Sequence, residues 1–80
     1  MNDAEIVTHI DALVGEEHRL ERSHADGGLS PEERNRMHEV ELQLDQLWDL
    51  LRQRRARRRA GQDPDGATTR DPSTVEHFQQ

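Results

Sequence analysis

The chain has 80 residues, 30% apolar and 35% charged, which suffices for one small domain with a thin core and excludes a large catalytic domain. It has no cysteine, which excludes a disulfide framework, a thiolate-held zinc or iron–sulfur site and a thiol nucleophile. The net charge is −6 and all eleven cations are arginine, a bias that fits a GC-rich coding sequence before it says anything about chemistry.

Asn2-Asp3-Ala4-Glu5 has capping-box spacing, so a first helix is predicted over about 3–25. Ile6, Ile10, Leu13, Glu17, Leu20 and His24 follow at alternating spacings of four and three, the pattern of a stripe that faces one partner helix. Val7 and Val14 widen the stripe on one flank. Asp26-Gly27-Gly28 supplies the stop, because glycine takes the left-handed conformation that closes a helix. Ser30-Pro31-Glu32-Glu33 is the strongest start signal in the chain: an N-cap hydroxyl, a proline at the first helical position and a glutamate at the third. A second helix is predicted over about 31–60, with Met37, Val40, Leu44, Leu47 and Leu51 in its stripe, Trp48 beside Leu44, and Gly61 as the stop.

A loop of about six residues forces the two helices antiparallel. That fold sets Leu20 near Met37, Leu13 near Leu44, Ile10 near Leu47 and Ile6 near Leu51. The fold class is therefore all-α, a coiled-coil-like two-helix hairpin over 1–61. Residues 62–72 hold turn formers and charges with nothing to bury and are predicted to be a flexible linker. Residues 73–80 form a tail, either disordered or with one short helical turn over Thr74–Gln79.

The apolar positions exceed what one partner helix can cover. Ile6, Val7, Ile10, Leu13 and Val14 make a wide face on helix 1, and Leu42 and Leu50 fall outside the seam of helix 2. Together with Leu44, Leu47, Trp48 and Leu51 they are expected to form the core and a self-complementary face, most simply a homodimer making a four-helix bundle. Two alternatives stay open: Val75 and Phe78 of the tail covering Val7 and Val14, or an unrelated protein partner.

The run from Val40 to Ala56, most specifically Leu44-Asp45-Gln46-Leu47-Trp48-Asp49-Leu50-Leu51-Arg52-Gln53-Arg54-Arg55-Ala56, together with Glu16-Glu17-His18 and the Gly-Gly-Leu loop, resembles a family of short actinobacterial proteins catalogued as domain of unknown function 2630. The resemblance implies a similar host class and no particular chemistry.

Arg52, Arg54, Arg55, Arg57, Arg58 and Arg59 concentrate positive charge in eight residues, whereas residues 1–51 carry thirteen acids and four arginines, a net of −9. The cluster has three readings. It could offset the negative end of the helix dipole, pair with acids such as Asp3 and Glu5, which the hairpin brings to the same end, or contact phosphates of nucleic acid or the ribosome. Glu21 and His24 have the Glu-x-x-His spacing of metal-binding bundles, with Glu17 one turn earlier and Glu33, His38 and Glu41 across the hairpin, yet the spacing arises easily by chance. Glu17 in the seam is expected to reach solvent or pair with Arg36, and Trp48 to pack in the core or at the dimer contact. Nothing resembles a glycine-rich phosphate loop or a nucleophile elbow. The reading is a protein–protein interaction or regulatory module, not an enzyme, with no cofactor. No apolar run exceeds three residues and no leader-like start is seen, so a cytoplasmic location is expected.

Overall fold

A computed structural model of the chain describes residues 1–25 and 27–70. The described residues form α1 (Asp3–Ala25), α2 (Pro31–Arg59) and a 3-10 turn at Pro64–Gly66, with no strand among them.

Local chemistry sets the helix ends where the sequence places them. At the start of α1, Glu5 N–H donates to Asn2 Oδ1 at 2.8 Å and Asn2 N–H donates to Glu5 Oε1 at 2.9 Å. Ser30 and Glu33 form the same reciprocal box at the start of α2, with Pro31 at the first helical position. The box holds the Glu33 carboxyl below its ordinary range, because the Ser30 backbone N–H donates to the charged form. α2 ends in a double closure: Gly61 N–H donates to the Arg58 carbonyl at 3.1 Å and Gln62 N–H to the Arg57 carbonyl at 2.8 Å. That geometry requires a left-handed residue, and Gly61 has φ +73°.

α1 and α2 pack antiparallel, and one cluster closes between them from Ile6, Ile10, Leu13, Val40, Leu44, Leu47, Leu50 and Leu51. These are the seam residues that the spacing predicts, with Leu50 added. Leu20 and Met37, nearer the loop, are half-buried. The core is thus concentrated in the half of the hairpin away from the loop.

The structure bears on three expectations. The flexible linker expected over 62–72 is, where described, a strap packed back along α2: Ala67 lies against the core, and Leu50, expected outside the seam, is only 7% exposed. Trp48, expected in the core or at the dimer contact, lies outside the core of the single chain at 43% exposure, as does Val7. Arg36 pairs with Glu16 and not with the seam residue Glu17. The tail expected over 73–80, with Val75 and Phe78, lies outside the described residues.

Candidate functional site

The six clustered arginines do not form one patch, because a helix turns them in different directions. Arg54 and Arg58 continue the seam spacing of Leu44, Leu47 and Leu51, just as Asp3 precedes Ile6 by three. The seam therefore changes from apolar to ionic at its open end. Arg54 Nε donates to Asp3 Oδ1 at 2.5 Å, and Arg58 Nη2 donates to Asp3 Oδ2 at 2.5 Å. Arg54 also donates through Nη1 to Asp65 Oδ1 of the strap at 3.0 Å and is itself only 6% exposed. The Arg58 hydrogen bonds, followed by that of Arg54, hold the Asp3 carboxyl down to about 2, and the two acids hold the Arg54 guanidinium above its usual range.

Arg57 turns to the strap. Its Nη1 donates to the Asp63 carbonyl, and the guanidinium lies so close to Gly66 that a Cβ there would stand 2.6 Å from Nη1. Arg54 and Arg58 thus tie α2 to α1, and Arg54 and Arg57 tie it to the strap.

The strap is built from side chains spaced far apart in sequence. Asp63 caps the 3-10 turn by accepting from the Asp65 backbone N–H at 2.9 Å. Farther along, Gln53 Nε2 donates to the Thr68 carbonyl at 2.7 Å and Gln46 Nε2 donates to the Arg70 carbonyl at 3.1 Å. Asp49 is 2% exposed and is compensated by Gln53 Nε2 at 2.9 Å, Arg70 Nε at 3.2 Å and Arg52 Nη2 at 3.7 Å. Where the strap passes, Asp49, Arg52, Gln53, Arg55, Ala56, Arg59 and Arg70 line an open groove of about 360 Å³. Among the described residues, neither Arg55 nor Arg59 has an ion-pair partner.

The two flanks of the seam differ. Residues one step before a seam position, Asn2 and Glu16 on α1 and Arg36 and Leu50 on α2, lie on one side of an antiparallel pair. That side is closed: Arg36 forks onto Glu16 and adds Glu39 at 3.1 Å, and the strap covers Leu50. The fork holds the Glu16 carboxyl below its ordinary range and raises the Arg36 guanidinium. Residues one step after a seam position, Val7 and Val14 on α1 and Glu41, Trp48 and Arg55 on α2, lie on the other side, where Val14 is half-buried and Val7 and Trp48 are exposed.

The metal candidates are not assembled. Glu17 is half-buried, Glu21 and His24 are exposed, and among the described residues no group of three or more His, Asp or Glu stands close enough to hold a metal ion. Sequence reasoning missed Asp49, Gln46, Gln53 and Arg70. The available signal was a polar row, Gln46, Asp49 and Gln53, on a helix whose other faces were already accounted for.

No described helix is long and apolar enough to cross a membrane. Comparison with known proteins finds relatives along nearly the whole chain. Uncharacterized protein Mb0922c of Mycobacterium bovis (strain ATCC BAA-935 / AF2122/97) and uncharacterized protein Rv0898c of Mycobacterium tuberculosis (strain ATCC 25618 / H37Rv) are each 46% identical over 77 residues, 95% of this chain and 88% of the relative. No solved structure matches. The family model described as protein of unknown function (DUF2630) matches residues 2–80, and the chain belongs to that family.

Proposed function

We propose that the protein is a cytoplasmic interaction module without catalytic activity, which pairs with a second copy of itself through the uncovered flank of the hairpin to make a four-helix bundle. The observation that carries this reading is the exposure of Val7 and Trp48, 43% each, on the flank opposite the strap. The exposed tryptophan is the chain's only one, and aromatic residues are enriched at the centres of protein contacts. A hairpin this small also gains stability from a second layer, since its own core is a single row of side chains.

The charge pattern of the flank supports a second copy over an unrelated partner. Glu41 and Arg55 each stand seven residues from Trp48, on opposite sides of it, and neither has an ion-pair partner among the described residues. A two-fold axis at Trp48 brings each Arg55 over the partner copy's acid at 41, with the arrangement antiparallel.

Light scattering on a sizing column tests the reading. The expected mass is twice the 9.3 kDa of the chain at both low and high salt, falling to one chain for Trp48→Ser. A wild-type monomer at about 100 μM protein, a concentration at which a μM contact is well populated, rejects it.

A further inference from the structure

We propose that the groove between the last turns of α2 and the strap is a binding site for a phosphate group. Arg52, Arg55 and Arg59 recur at spacings of three and four on one face of α2, and the strap brings Arg70 to the same groove from outside the helix. Beneath them lies Asp49, 2% exposed, which forms ion pairs with Arg70 Nε at 3.2 Å and with Arg52 Nη2 at 3.7 Å. The buried carboxylate fixes the position of the Arg70 guanidinium over the groove and leaves its Nη donors for a ligand. Arg59 has no ion-pair or hydrogen-bond partner among the described residues, so its whole donor fork is available.

Charge and size select the ligand. Leaving out Arg55, which the two-fold contact pairs with Glu41, the described residues still bring the guanidiniums of Arg52, Arg59 and Arg70 over the single carboxylate of Asp49, so in a chain of net −6 an anion is attracted to this end and repelled from the rest of the molecule. Converging guanidiniums saturate a carboxylate after one or two forks, whereas a phosphate offers more oxygens and a greater charge. The groove, about 360 Å³, falls within the range of roughly 300–1,000 Å³ for small-ligand sites and has room for more than a single phosphate group. The group could belong to a free phosphorylated compound or to a nucleic-acid backbone, since the recognition chemistry is the same.

Titration of the full chain with sodium pyrophosphate, followed by calorimetry and by NMR of the arginine Nε–H signals, tests the site. At about 25 mM salt, saturable binding is expected that shifts the Arg59 and Arg70 signals and weakens as salt rises. Arg59→Gln should weaken it about tenfold or more through loss of a charge-assisted fork, with helix content and melting unchanged. Arg34→Gln, at the far end of α2, should keep the wild-type affinity, and saturable binding should persist in Trp48→Ser, which removes the self-association and frees Arg55. A single-stranded RNA of about twelve nucleotides, a length that single-strand sites accommodate, identifies the source. Competition between RNA and pyrophosphate supports the site with a backbone phosphate, and binding of pyrophosphate alone supports it with a free one. The proposal is overturned by absence of saturable binding of either probe, by equal losses in Arg34→Gln and Arg59→Gln, or by tighter binding of a glutamate-rich peptide than of pyrophosphate.

Discussion

The two flanks of this hairpin begin from the same seam and end differently. On one, Leu50 is sealed at 7% exposure by a strap that returns along α2, and Arg36 forks onto Glu16. On the other, Val7 and Trp48 stand 43% exposed, although each is also one residue from a buried seam position. Distance from the seam therefore does not decide burial in so narrow a fold. What decides it is whether a third segment reaches the flank, and a two-helix hairpin cannot cover both flanks by itself.

Truncations on the two flanks give the largest expected contrast. Leu50→Ala should cost about 2–4 kcal/mol in urea unfolding, through lost burial and the cavity left beneath Ala67. Val7→Ala should cost less than about 0.5 kcal/mol at high dilution, as for a surface position, and more as protein concentration rises, because a subunit contact links stability to concentration. Equal, concentration-independent losses would break the contrast.

A charge exchange sharpens it. Glu41→Arg alone and Arg55→Glu alone each place like charges opposite one another across the two-fold contact and should weaken self-association about tenfold, while the double exchange restores it. Sedimentation equilibrium reads all three, and a double variant as weak as the singles contradicts the antiparallel register.

Smaller effects probe how each region is held. Ser30→Ala removes one half of the α2 capping box and should cost about 1 kcal/mol, read as a lower urea midpoint at unchanged slope. The ionic end of the seam titrates. Asp3 has its folded pKa held at about 2 against an ordinary 3.8, so the stabilisation it shares with Arg58 and Arg54 is present above pH 3.8 and is lost as pH falls toward 2. Arg58→Gln should move the Asp3 midpoint up toward 3.8, followed by the carboxyl signal in NMR, and a midpoint that stays at about 2 would refute the assignment.

Much of this fold is legible in the sequence because its signals are local. The boxes at Asn2–Glu5 and Ser30–Glu33, the proline at 31 and the glycine at 61 fix both helices within a few residues of chain, and the alternation of three and four fixes which sides meet. The strap is not legible in that way. It is held by Gln46, Asp49 and Gln53 reaching carbonyls and a guanidinium 15 to 24 residues onward, and polar side chains of this kind read as solvent-facing until the returning segment is seen. The division of the arginines was partly readable, since Arg54 and Arg58 extend the seam and Asp3 lies across it. That Arg36 reaches Glu16 and not Glu17 follows from the flank, because both partners stand one step before the seam.

Trp48 gives the most direct test of the uncovered flank, being the only tryptophan and lying at its centre. Its fluorescence should be shielded from acrylamide at about 100 μM protein, well above a μM dissociation constant, and become accessible on dilution as the two copies separate. Full accessibility at every concentration, with the chain still helical, would contradict the account.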